Sequence, residues 1–286
     1  MTITFDFVVS SVDQVTYEFG YNPKTTRRAL PIARKLIADG DMLLAQGLEL
    51  PVENREIVRA LAGWWRHVNV LAEDFINRVE AGRTITTTPI YRSIVEHVYK
   101  MLWLASEGAN GLAVLDFSTW NNKKILLEEL TDPDTGKRRW PALDHIEIGA
   151  PPGVDLSHAS ADPEIARLKM LLTEFKRFNK LTARFGEEDM YTVYRHLCDY
   201  THASAYTADA YTEDLGDGMW AIRTDAKPSD GERADVIWLP ILLMQAGLVL
   251  SSRLKGDPFR KQVKRAAFEY GVPVTRLLPV ALPATD

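Results

Sequence analysis

Between Tyr194 and Ser204 the chain reads YRHLCDYTHAS. This stretch holds two of the six histidines, the only cysteine, an arginine, an aspartate, two tyrosines and a serine. Such residues move protons, grip anions and orient bound groups. On a helix from Glu187 to Tyr206, residues three, four and seven apart share a face. Glu188, Tyr191, Arg195, Asp199 and His202 then form one polar stripe, while Met190, Val193, Leu197 and Cys198 fall broadly on the other side. Arg195 and Asp199 are spaced to pair, and so are Asp199 and His202. A merely solvated face with such a pair would be worth roughly a few tenths of a kcal/mol. Solvated faces are built from Lys, Glu and Gln, whereas Tyr and His are half-buried types and a free Cys is among the most buried. Their density here favours a site.

A second stripe lies in YRSIVEHVYKMLW, which begins at Tyr91. Arg92, Glu96, Tyr99 and Trp103 follow one another at four, three and four residues. One reading is an Arg–Glu pair above aromatic packing. The other places Arg92 and Glu96 opposite the Arg195–His202 stripe, the two together lining one polar pocket in the bundle, since a buried charged pair is costly unless something uses it.

Other chemistries find weaker support. Asp199-x-x-His202 and Asp155-x-x-His158 have ligand spacing, and Glu73, Glu96 and Glu174 fall on expected helices. Bundle di-iron sites need two Glu-x-x-His motifs, and the chain has neither these nor His-Glu-x-x-His, so no metal or cofactor is assigned. Cys198 sits on an apolar side, where a lone cysteine is inert packing. No Gly-rich phosphate loop occurs. Trp64, Trp65 and Trp103 occupy core-like positions, while Trp120 and Trp140, at or near a loop, could stack on a base.

The net charge of −5 and pI near 5.8 argue against a protein that coats DNA, but not against a local basic surface. Pro163 to Gly186 carries six Lys or Arg against two Glu, and Ser252 to Tyr270 repeats that balance. Lys176, Lys180 and Arg184 recur every four residues, which on one helix makes a basic ridge. It is either a solvated face or a phosphate-backbone track.

The elements that must position these groups are helical. Apolar residues recur at three and four from Thr25 to about Leu48, Asn54 to Gly82, Thr88 to Ser106 and Asn110 to Leu130. Further helices are expected from Pro163 to about Phe185, Glu187 to about Tyr206, Asp230 to Leu254 and Pro258 to Tyr270. Thr131 to Pro163 is a Pro-, Gly- and Asp-rich loop, long enough to be functional or mobile. Ile3, Phe5 and Phe7 alternate like a short strand, MWAIRTDA at Met219 offers another, and the Pro-broken tail reads as extended.

The fold expected is all-α: a helical bundle with a long inserted loop and at most minor strand content. It is read as one domain over residues 1–286, or as halves 1–130 and 164–286 joined by loop 131–163. VIWLPILLMQAGLVL, from Val236, is about fifteen residues long where a membrane span needs roughly twenty, so it reads as a core helix and no membrane is expected. One cysteine cannot form an internal disulfide, and MTITFDFVVSSVDQ has no basic signal-peptide start, so a reducing cytoplasm is expected.

Arg195, six residues, then His202 on a late helix resembles the Arg-x(4–6)-His motif of the HEPN superfamily. Together YRSIVEHVYKMLWLASEG and YRHLCDYTHAS, about thirty residues, resemble an uncharacterised bacterial helical family known only as a domain of unknown function. Many HEPN proteins are metal-independent ribonucleases of toxin–antitoxin and phage-defence systems. The resemblance implies His202 as general base on an RNA 2′-hydroxyl and Arg195 as the bidentate holder of the scissile phosphate, with Tyr194 or Ser204 positioning it. It also implies a homodimer with a composite site, RNA as substrate, and an antitoxin or other protein as partner. Two other readings stay open: a non-catalytic helical module that binds a nucleotide, small ligand or partner protein in the polar pocket, and a metal-dependent bundle enzyme.

Overall fold

Ala234–Ser251 forms a helix that is apolar on every side, and the rest of the chain is arranged to cover it. The computed structural model describes residues 17–277 apart from 51, 52, 54, 84, 141–144, 159 and 228–232. The expected strand at Ile3, Phe5 and Phe7, and the end of the tail, lie outside these residues. Among those described there are ten α-helices and one two-stranded sheet, so the fold is all-α with minor strand content.

Helix α1, Pro23–Gln46, starts at Asn22, whose side chain accepts from the Thr25 N–H at 2.9 Å. Helices α2, Arg55–Glu80, and α3, Thr88–Glu107, form a hairpin. Gly108, at φ 58°, turns the chain directly into α4, Ala109–Leu130. The stretch from 131 to 162 holds no named helix or strand among its described residues, but Leu156 anchors it in the core. Then come α5, Pro163–Lys176, α6, Phe178–Arg184, α7, Glu188–Thr201, and α8, Ala205–Asp209. Strands β1, Thr212–Gly216, and β2, Met219–Ile222, pair antiparallel, with Thr212 opposite Ile222. The apolar helix is α9, and α10, Arg260–Tyr270, follows.

Helix α9 is long and apolar enough to cross a membrane, and 83% of it is buried inside the protein. It packs against α1, α2, α3 and α10, so elements from both ends of the chain share one core. Small residues allow the close approaches. A Cβ at Gly40 of α1 would stand 2.8 Å from the Trp65 ring, which explains a glycine inside that helix. At Gly247 of α9 a Cβ would stand 2.6 Å from Phe259, whose ring meets Trp65 edge-on at 5.9 Å.

Two expected helices are broken. The helix expected over Pro163–Phe185 stops at Lys176, because Arg177 is extended at φ −116°, ψ 102°. Phe175 stays on Trp103 at 5.2 Å, while Phe178, in the next helix, stacks on Tyr194 at 4.1 Å and meets Tyr99 edge-on. The helix expected over Glu187–Tyr206 stops at Thr201. There Ser204 and Thr207 form a capping box that starts α8, leaving His202 extended at φ −105°, ψ 161°.

Gly247→Ala should destabilise the protein by about 1–3 kcal/mol, because Phe259 is held against Trp65 and cannot step away. Urea unfolding at neutral pH measures this. An unchanged midpoint would mean that the α9–α10 contact is loose.

Candidate functional site

Helix α7 stands between α3 and α6 and offers chemically different groups in three directions. Toward α3, Arg92 donates to the Tyr194 hydroxyl, and that hydroxyl donates to Glu96 Oε2 at 3.2 Å. Lys100 donates to Glu96 Oε1 at 2.7 Å. The Arg92 guanidinium also lies 4.7 Å from the centre of the Tyr194 ring, which is stacked on Phe178. Partial burial, with Glu96 nearby, pushes the Tyr194 hydroxyl up to about 12, so it keeps its proton. Burial works to raise the Glu96 carboxyl, but Lys100, Tyr194 and Arg92 outweigh it and hold the group below its usual value. Arg92 keeps a buried Nε without a hydrogen-bond partner among the described residues.

The α3 and α7 stripes therefore meet, but not as expected. Arg92 and Glu96 face Tyr194, with Cys198 beside the same guanidinium, rather than Arg195 and His202. Tyr191 and Tyr194 line a small polar cavity of about 290 Å³ with Glu96, Lys100, Lys176 and Arg177. Lys176 and Arg177 are exposed and free of ion pairs among the described residues.

Arg195, Asp199 and His202 are exposed on the outer side of α7. Neither the Arg195–Asp199 pair nor the Asp199–His202 contact forms among the described residues, so all three side chains are open to solvent. His202 lies just past the helix end, which removes the helical spacing on which its contact with Asp199 depended. Ser204 is committed locally: its hydroxyl donates to the Asp199 carbonyl and accepts from Thr207 N–H.

The basic ridge does not form. The break at Arg177 separates Lys176 from Lys180, and Arg184 turns inward. Arg184 bridges Glu107, whose side chain is 7% exposed, and Glu174, to which it donates at 2.8 Å. Trp103 Nε1 also donates to Glu174. Lys180 remains exposed. Among the described residues no group of three or more His, Cys, Asp or Glu side chains could hold a metal ion. Glu96 and Glu174 are paired with cations, and Glu73 is exposed.

A third side of α7, carrying Val193, His196 and Tyr200, borders a cavity of about 890 Å³. Tyr91, Tyr206 and Trp238 complete much of its wall. Sequence reasoning missed it because its residues come from elements more than two hundred positions apart. The visible signal was His196 and Tyr200 at i,i+4, off the polar stripe.

A family model described as a family of unknown function (DUF5677) matches residues 58–219, a span that contains both polar stretches. No curated protein and no solved structure matches the chain.

Glu96 sets a pH-dependent contribution to stability. Its carboxyl is held below the ordinary value of 4.5, so the contribution is complete above that value and is lost as pH falls through the native one. Glu96→Gln should lower stability at pH 7 by about 1–3 kcal/mol and flatten the fall in stability below pH 4.5. Urea midpoints from pH 7 to 3 measure this, and parallel curves for the two proteins would refute it.

Proposed function

The chain belongs to DUF5677, a family of unknown function, and we propose, from its own residues, that it is a metal-independent ribonuclease of the HEPN kind. One observation carries this reading: Arg195 and His202 are exposed, unpaired among the described residues, and close in sequence on the outer side of α7. An arginine with no carboxylate to neutralise it is available to grip a phosphate with two parallel hydrogen bonds. A solvent-facing histidine is available to accept a proton.

In the step envisaged, an RNA 2′-hydroxyl gives its proton to His202. Its oxygen attacks the adjacent phosphorus, the P–O5′ bond breaks, and the leaving oxygen takes a proton from solvent. Arg195 stabilises the charge that builds on the phosphoryl oxygens. Lys176, Arg177 and Lys180 supply contacts to the RNA backbone, sequence-independent and salt-sensitive. Tyr194, committed to Arg92 and Glu96, holds α7 against α3 instead of touching the phosphate. Ser204 fixes the turn that sets His202 off the helix. Tyr191, beside Lys176 and Arg177, stands nearest to a phosphate-positioning role. Asp199 lies between the two reacting residues in sequence and makes no contact with His202 among the described residues. The working form in this proposal is a cytoplasmic homodimer with a composite site, held in check by an antitoxin or other partner protein.

A second reading is a non-catalytic module that binds a small anion in the 290 Å³ cavity. Lys176 and Arg177, which line that cavity without an ion pair among the described residues, favour it.

Incubation with total RNA in EDTA separates the two. The wild-type protein should cleave, and His202→Ala should lower the rate by about 10²–10⁴-fold. Arg195→Ala should lower it comparably, and neither exposed substitution should move the melting temperature. If the wild-type protein does not cleave, or Arg92→Ala harms function as much as His202→Ala at equal stability, the binding reading replaces the nuclease.

A further inference from the structure

We propose that the 890 Å³ cavity on the third side of α7 binds an organic cation with an aromatic or apolar body. The cavity is of the size that encloses a drug-sized molecule. Tyr21, Tyr91, Tyr200, Tyr206 and Trp238 contribute aromatic rings to its wall, and Trp238 Nε1 donates to the Tyr21 hydroxyl at 2.8 Å, fixing one corner. Faces of Tyr and Trp attract cations through the ring quadrupole, more strongly where water is excluded.

The charges around the cavity point the same way. Arg233 is paired with Asp235 at 2.5 Å, each side chain being 16% exposed, and keeps a buried Nη1 without a hydrogen-bond partner among the described residues. That leaves Glu187, Asp189 and Asp209 without an ion pair among the described residues, against Lys227 alone. An anionic ligand would meet unpaired carboxylates, and a neutral one would leave them unused.

Two hydroxyl residues of α3 also line the cavity. Tyr91 is 1% exposed, lines the cavity, and makes no hydrogen bond to any described residue. Thr88, three residues earlier on α3 and also buried, is in the same position. A hydroxyl oxygen that lines a cavity without a protein donor can accept from a ligand N–H. Burial, with Asp235 nearby, pushes the Tyr91 hydroxyl far above its ordinary value, so it stays neutral. The cavity and the Arg195–His202 strip occupy different sides of α7, so either assignment can fail without the other.

Calorimetry on the full chain without RNA tests the proposal, using tryptamine, indole-3-acetamide and indole-3-acetate. These three share an indole body and carry positive, zero and negative charge. Tryptamine should bind about tenfold more tightly than the amide, and the acetate most weakly. Glu187→Gln combined with Asp189→Asn, both exposed at the mouth, should reduce that preference to about threefold or less with the melting temperature unchanged. Tyr91→Phe should weaken tryptamine about fivefold and leave stability intact, because its hydroxyl has no protein partner to lose. Equal affinities for the three probes, tightest binding of the acetate, or no heat from any of them at millimolar concentration would overturn the proposal.

Discussion

Helix α9 has no side to leave in water. From Val236 to Leu250 nearly every side chain is buried, and each large one withdrawn from solvent contributes about 1.5–3 kcal/mol. A helix without a polar face can exist only if neighbours enclose it, so α1, α2, α3 and α10 must each cover one flank. That requirement fixes α3, which spends one flank on α9 and turns another to α7. The position of α7 follows, and with it every group of chemical interest.

The joint between α3 and α7 is polar where the rest of the core is not. Tyr194 is held by Phe178 against its ring, by Arg92 and by Glu96. Because hydrogen bonds and ring stacking are directional, this joint sets the rotation of α7 about its own axis as well as its place. Rotation decides which residues meet solvent: Arg195 and Asp199 point outward because Tyr194 and Cys198 point inward. The tyrosine acts on the outer strip through geometry alone.

Much of this architecture could be read from the residues. Helix periods at three and four placed α1 to α4 within a few residues, and the uninterrupted apolar run of α9 marked it as core. The dense stretch at Tyr194 was correctly located on a helix that faces α3. Most of what could not be read depended on distant partners. The break at Arg177 arises where Phe178 meets Tyr99 and Tyr194. Arg184 leaves the surface for a carboxylate 77 positions earlier. The Ser204–Thr207 cap was local but departs from the Ser-x-x-Glu pattern, so His202 was carried past the true end of its helix. The large cavity left only the His196–Tyr200 spacing as a trace, since the rest of its wall is assembled by folding.

The position of α9 in the chain also governs how the protein comes into being. Helices α1, α2 and α3 are complete by Glu107, and more than a hundred residues follow before Ala234 opens α9. At ordinary elongation rates that interval is on the order of ten seconds. Throughout it, Trp65, Phe75 and Trp103 belong to a half-built core whose central post has yet to leave the ribosome. Contacts closed across such a sequence separation form late and slowly. The nascent chain therefore passes through a stage in which its stickiest surface is made but uncovered, a stage in which chaperones hold such chains and crowded synthesis leads to aggregation.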